Sequence, residues 1–353
     1  MSQFDKDDVE ALGLLKLDVL GIRMQSAMAH AVAEISRVDD VEIDLDDEAQ
    51  VPFDDKTTFT MISEAGTLGV FQIESPGQRE LVGKSGIDSF DDIITDISLF
   101  RPGPVKSDMI TPYLEAKQGW KTVHYIHDDL RPILEQTRGV VVFHEQVIEM
   151  IALFTGVSYA EADEKRRALG DVEGMAQTKL WFHPARSDGA MRCRWWSGSG
   201  RCSRPSRRSA SARRTPRPSR CRPTSRLRLK AHYPAHFPAG VLTHDPGMYP
   251  KRLILEDARQ FGIGVHGLDV NASDTDYVVE VAEETDAGYA IRLALAEVKG
   301  ISGAEVARIV AARSEAPYVS LSDFFQRARC LATGAGATGA GRWVRHDLPH
   351  RGW

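Results

Sequence analysis

The stretch PARSDGAMRCRWWSGSGRCSRPSRRSASARRTPRPSRCRPTSRLR, residues 184–228, decides how the rest of the chain is read. It holds 14 arginines against one acid, Asp188, and contains no Val, Ile, Phe or Tyr. So few apolar side chains cannot offset the entropy of ordering a backbone, and no packed element is expected in it. The chain carries a formal charge of −6, and setting this excess of 13 positive charges aside leaves −19 for the remainder. An acidic body with one basic island differs from an ordinary nucleic-acid-binding surface, where basic residues spread over a folded face.

Two origins fit the island. It is either a disordered basic arm that grips phosphates or GC-rich coding DNA read out of frame. The mixture of Arg, Pro, Ser, Ala and Gly favours the frame error. The tail agrees with it: LATGAGATGAGRWVRHDLPHRGW, residues 331–353, has no helical or strand period and starts abruptly after an ordinary helix.

Upstream of the island the patterning is regular. YAEADEKRRALG, residues 159–170, reads as a helix stopped by Gly170. VVVFHEQVIEMIALFTG, residues 140–156, reads as a strand passing into a helix with Val147, Met150, Ile151 and Phe154 on one stripe. RPGP at 101–104 is a rigid loop, and TLGVFQIES at 67–75 is a short strand or buried turn. Met24, Met28, Ala31, Val32 and Ile35 recur at helical steps. Before them LLKLDVLGI, residues 14–22, alternates like a strand and puts Lys16 and Asp18 on one face, with Gly21 at a tight junction to the helix.

Downstream, LKAHYPAHF at 229–237 resumes ordinary patterning. Residues 251–262 suit an amphipathic helix, and 263–285 a small strand-rich piece. Residues 289–313 read as two helical patterns joined by Lys299, Gly300, Ile301 and Ser302.

Composition excludes several classes. No run of 18 apolar residues predicts a membrane span, and the acidic start lacks the basic region of a signal peptide, so a cytoplasmic protein is expected. Cys193, Cys202, Cys221 and Cys330 have neither zinc-site nor disulfide-framework spacing. His232 and His236 stand four apart, but Pro234 between them argues against a metal pair on a regular helix. No P-loop, dinucleotide fingerprint or nucleophile elbow occurs.

Three features could carry chemistry. A strand that shows Asp18 beside Lys16 offers a carboxylate for a divalent ion and an ammonium for phosphate charge, as phosphoryl transfer needs. Taken alone, the two fit a salt-bridged strand edge better. Adjacent Arg166 and Arg167 can aim planar donors at a triphosphate, although DEKRR also suits a solvated helix face. The Lys299–Gly300–Ile301 turn lets backbone amides and a helix N-terminus approach a phosphate, and it equally suits a plain helical hairpin.

In order along the chain, KLDVLG (16–21), GVFQIES (69–75), LFRPGP (99–104), VVFHEQV (141–147), ADEKRRALG (162–170) and LKAHYPAHF (229–237) resemble the palm and fingers of bacterial C-family DNA polymerases, the DNA polymerase III alpha subunit or its error-prone paralogue. LAEVKGISGAEVARIV (295–310) resembles the start of that family's tandem helix-hairpin-helix module. The resemblance covers about 1–182 and 229–329.

It implies a mixed α/β, predominantly helical fold: the end of a polymerase-β-like palm at 1–23, fingers at 24–182, the aberrant segment at 183–228, the remaining fingers at 229–286, a partial helix-hairpin-helix module at 287–329 and an aberrant tail at 330–353. Asp18 then matches a catalytic, metal-binding aspartate and Lys16 a residue near the incoming nucleotide. Arg166 and Arg167 match triphosphate-binding finger arginines; Gln72, Glu74, Ser75, Arg101 and Glu145 fall in motifs near the active site, with Gln72 and Arg101 placed on the nucleotide. Lys299, Gly300 and Ile301 would meet DNA.

The family further implies two Mg²⁺ ions, primer-template DNA and dNTPs as substrates, and a sliding clamp with other replisome subunits as partners. Its two other catalytic aspartates, its thumb and its polymerase-and-histidinol-phosphatase domain would precede Met1, and its usual fingers segment rich in Phe, Gly, Lys, His and Tyr is replaced by the island. The expectation is therefore a fragment without polymerase activity of its own. The alternatives are a non-catalytic DNA-binding or interaction fragment and a pseudogene product.

Overall fold

The computed structural model describes residues 4, 6–14, 23–101, 108–170, 172–185, 223–247 and 249–328. The expected strand with Lys16 and Asp18, most of the RPGP loop, residues 186–222 of the island and the tail from 329 lie outside the described residues.

The chain is predominantly helical with one small sheet. In order, the helices are α1 (Lys6–Ala11), α2 (Arg23–Asp39), α3 (Lys56–Ser63), α4 (Pro76–Ser85), α5 (Phe90–Leu99), α6 (Ile110–Lys117), α7 (Arg131–Leu134), α8 (His144–Thr155), α9 (Tyr159–Ala168), α10 (Val172–Ala185), α11 (Pro223–His232), α12 (His236–His244), α13 (Lys251–Gln260), α14 (Gly303–Glu315) and α15 (Leu321–Ala328). The strands β1 (Gly264–His266), β2 (Val278–Val281) and β3 (Tyr289–Arg292) lie between α13 and α14. β3 is central, parallel to β1 and antiparallel to β2.

The main core forms where α2 meets α12. Met24, Ala27, Met28, Ala31 and Ile35 recur at three- and four-residue steps, and all are buried. The whole of His236–Leu242 on α12 is buried against that stripe and its neighbours. Gly240 permits the approach, since a Cβ there would sit 2.1 Å from the Ala27 carbonyl oxygen. Val279 and Ile291 of the sheet, Leu227 and Leu229 of α11, and Ile254 and Ala258 of α13 close the same core.

Two smaller clusters flank it. One joins Leu81, Ile94, Leu99, Tyr113 and Phe143 across α4, α5, α6 and the start of α8. The other packs Leu295, Val306, Ile309, Tyr318 and Phe324 under α14 and α15.

Local signals account for the helix ends. Asp55 caps α3 by accepting the Thr57 N–H, Ser89 caps α5 with Asp91 and Asp92 in its first turn, and Pro76 starts α4, which ends at Gly86 with φ 64°. The expected strand before α8 is reduced to a single bridge residue, Phe143, among the described residues. Gln146 takes its place, its Oε1 accepting the Val142 and Phe143 N–H groups at 2.8 and 3.0 Å. The segment 67–75 is a turn, mostly buried but with Phe71 exposed at its tip.

Two sequence readings need correction. Residues 289–298 do not form a helix: β3 occupies 289–292 and a single 3-10 turn follows at Leu295–Glu297. Their helix-forming composition is overridden by pairing, with Ile291 lying between Val265 and Val279. In addition, packed structure reaches back into the arginine-rich segment, because α11 begins at Pro223 and buries Leu227 completely.

Candidate functional site

α9 is a short amphipathic helix capped by Ser158, whose hydroxyl accepts the Glu161 N–H at 3.3 Å. Its last turn carries Lys165, Arg166 and Arg167, where the helix dipole favours cations. Both guanidiniums converge on one carboxylate. Arg166 Nε lies 2.8 Å from Asp163 Oδ1, and Arg167 Nη2 lies 2.6 Å from Oδ2. The Arg166 hydrogen bond, with Arg167 behind it, holds the Asp163 carboxyl below its usual range.

The two arginines differ in exposure. Arg166 is largely covered, whereas the Arg167 side chain is 73% exposed and turns donors to solvent. Lys165 lies 4.8 Å from the centre of the Trp181 ring, tying the same turn to α10. The arrangement is a basic ridge in which Asp163 sets the spacing of two planar forks. An incoming polyanion would compete with Asp163 for them.

Gln72, Glu74 and Ser75 belong to the loop between α3 and α4, residues 64–75. Gln72 has φ 83°, a conformation uncommon for a non-glycine residue. Phe71 beside it is 46% exposed. Glu74 points the other way: it is buried, and burial raises its carboxyl above the usual range, opposed by the Gly69 N–H hydrogen bond. Its Oε2 has no hydrogen-bond partner among the described residues. Ser75 precedes α4 and donates to Gln78 Oε1 at 2.8 Å.

Sequence reasoning missed the residue that pins this loop. Lys230 on α11 is fully buried, and its Nζ donates to the Leu68 carbonyl at 2.6 Å and to Asp257 Oδ2 at 2.7 Å. The Phe261 ring centre is 5.2 Å away. Burial lowers the Lys230 ammonium from its ordinary value, against the pull of Asp257. A lysine between Leu229 and Ala231 carries no local sign of such a role, since its partners are 162 and 27 positions distant.

The other predicted residues are scattered. Arg101 is half-buried just before residues 102–107, which are outside the described set, and Glu145 is half-buried in the first turn of α8. Lys299 and Gly300 are exposed, and Ile301 packs against the small cluster under α14. Gly300 has φ 87° with open space around it. The α14 N-terminus is already occupied, because the Glu305 carboxylate accepts the Ser302 N–H at 2.8 Å and the Ser302 hydroxyl at 2.7 Å. Lys299 and the Gly300 backbone thus remain open to a ligand there.

His232 and His236 do not share a ligand. His232 Nε2 lies 2.6 Å from Asp55, while His236 is buried between the Tyr233 and Tyr289 rings. Among the described residues no three His, Cys, Asp or Glu side chains gather as a metal site would require. Asp18 is outside those residues.

Comparison with known proteins adds family context to these positions. The model of the bacterial DNA polymerase III alpha subunit finger domain matches residues 24–185, and that of a helix-hairpin-helix motif matches residues 262–334. The chain is 34% identical over 356 residues to an error-prone DNA polymerase of Symbiobacterium thermophilum, covering 92% of this chain and 31% of that protein. It is 33% identical over 343 residues to error-prone DNA polymerase 2 of Rhizobium meliloti, covering 92% and 30%. An error-prone DNA polymerase of Teredinibacter turnerae is 33% identical over 337 residues, covering 92% and 32%. The chain spans about a third of the length of the curated relatives it matches.

Proposed function

This chain is a bacterial C-family DNA polymerase alpha subunit-like protein, and from that premise we propose that it is the finger-bearing part of a DNA-directed DNA polymerase used in error-prone repair synthesis. The observation that carries the proposal is the ridge on α9. Within the region matched as a finger domain, two adjacent arginines are held on one aspartate, with Arg167 open to solvent. Planar forks spaced in this way suit the α-, β- and γ-phosphates of a dNTP. The names of the relatives support the error-prone assignment over a main replicase.

In the whole polymerase, Mg²⁺ would supply charge neutralisation and alignment of the primer hydroxyl. Asp18 would be one of its carboxylate ligands, Lys16, Gln72 and Arg101 would lie near the nucleotide, and Lys299, Gly300 and Ile301 would meet the duplex. Primer-template DNA, dNTPs and a sliding clamp are the partners of this reading, and the cytoplasm its compartment. Among the described residues no helix is long and apolar enough to cross a membrane.

The isolated chain is proposed to be inactive. Two ions need several carboxylates, and the family motifs in this sequence supply one, Asp18. A primer-extension assay with the purified 353-residue chain, Mg²⁺ and all four dNTPs should give no incorporation. Template-dependent extension would refute the inactivity. Equilibrium binding of a dNTP tests the ridge separately: Arg166→Ala with Arg167→Ala should weaken it by roughly 10-fold or more, and an unchanged affinity would remove the triphosphate role.

A further inference from the structure

The tip of the loop 64–75 combines an exposed ring, a strained backbone and an unusually firm foundation. Phe71 is 46% exposed, and Gln72 next to it holds φ 83°. The Gln72 amide makes no hydrogen bond among the described residues. Isolated exposed aromatics are ordinary on protein surfaces. What distinguishes this one is the loop beneath it.

Three hydrogen bonds fix that loop from below. Lys230 holds the Leu68 carbonyl at 2.6 Å, Arg79 Nε holds the Ala65 carbonyl at 3.1 Å, and the Thr67 hydroxyl holds the Ile73 carbonyl at 2.7 Å. Arg226 of α11 adds a fourth contact at the tip itself, with its Nη1 3.4 Å from the Phe71 carbonyl and its guanidinium 5.9 Å from the Phe71 ring centre. A residue strained in this way persists only where its surroundings over-determine it, and such positions cluster where a surface is presented to a ligand.

From this geometry we infer that the Phe71–Gln72 tip is a stacking site for an unpaired nucleobase. The inference rests on the polymerase reading and deepens it, because it assigns a base contact rather than a phosphate contact and gives it to Phe71. Each base has a π-face, so a fixed phenyl ring takes any of them with little ordering cost. Gln72, its amide uncommitted, can meet the hydrogen-bonding edge of the stacked base. The base comes either from a single strand or from a free nucleotide.

Fluorescence anisotropy of the full 353-residue chain tests this with two probes, a labelled oligothymidylate of about 12 nucleotides and labelled dTTP, across a salt series. Phe71→Ala should weaken binding roughly 10-fold or more without changing the salt slope, since no phosphate contact is lost, and Phe71→Trp should restore it. Loss confined to the oligonucleotide identifies a strand base, and loss confined to dTTP identifies an incoming nucleotide; either supports the site. Gln72→Gly should bind more weakly yet melt at a higher temperature, because glycine relieves the backbone.

Phe71→Ala binding both probes as tightly as the parent overturns the inference. If Arg166→Ala with Arg167→Ala still weakens dTTP in that case, the polymerase reading survives it. A parent chain that binds neither probe at low salt defeats both.

Discussion

Glu34 on α2 accepts the backbone N–H of Val279 on β2 at 2.7 Å, across 245 positions of sequence. Arg37, one turn later, donates to the carbonyl of the same residue at 2.6 Å and to Glu34 at 2.8 and 2.6 Å. An ion pair on a helix thus closes the peptide groups of an edge strand, which would otherwise be free to pair with another chain. It also ties the region matched as fingers to the region matched as helix-hairpin-helix.

Glu34→Ala should therefore destabilise the fold by about 2–3 kcal/mol, the range of a hydrogen bond to a charged group with its partner left unpaired. Amide exchange at Val279 should accelerate with it. Burial pushes the Glu34 carboxyl up, but the Arg37 and Val279 hydrogen bonds outweigh it and leave the group below its ordinary 4.5. Its contribution is present above pH 4.5 and fades as the pH falls through the lowered value. A Glu34→Ala variant with the parent's melting midpoint at pH 7 would contradict this.

Lys230 and Asp257 form a buried pair at 2.7 Å. Lys230→Met leaves a buried carboxylate unpaired and should lower stability by about 3–5 kcal/mol. Lys230→Met with Asp257→Leu removes both charges and should recover most of that loss in urea denaturation. The pair would prove unimportant if the single variant unfolded at the parent's midpoint.

Asp96 on α5 is 2% exposed, and burial pushes its carboxyl from 3.8 up to about 7. The Ser85 hydroxyl, 2.6 Å away, and Lys117 oppose that rise, while Asp92 adds to it. Because the folded chain keeps this proton longer than the unfolded one, stability should fall as pH rises from about 4 to about 7 and level off above. The slope is at most about 1.4 kcal/mol per pH unit. Asp96→Asn should flatten this part of the melting profile and stabilise the chain most above pH 7. Parallel profiles for parent and variant would rule the linkage out.

Gly240→Ala would place a methyl group 2.1 Å from the Ala27 carbonyl oxygen and 3.0 Å from its carbon. Both are backbone atoms, so α2 and α12 must separate. A loss of about 1–3 kcal/mol or more is expected in urea denaturation, with no comparable loss for Gly267→Ala, where the space is open and the backbone is not left-handed.

Much of this structure was legible because it is local. The α2 stripe, the helix at 251–260 and the basic helix α9 running up to Gly170 follow from spacing and a stop glycine alone, whereas the Ser158 cap came from the structure. β3 was not legible: YAIR precedes a run of Leu, Ala and Glu, and only pairing with β1 and β2 makes it a strand. Lys230 was hidden for the same reason, since burial of a lysine depends on partners supplied by distant segments. Arg166 and Arg167 were visible as a pair, but the role of Asp163 in spacing them depends on rotamers that a sequence does not show.

The closure of α2 by α12 also bears on how the chain is made. Some 200 residues separate the two helices, so at ordinary elongation rates α2 leaves the ribosome roughly 10–40 s before its partner. During that interval the stripe of Met24, Met28, Ala31 and Ile35 has no native surface to cover it. A nascent chain arrested before residue 236 should depend on a chaperone for solubility, and one extended past β3 should release it.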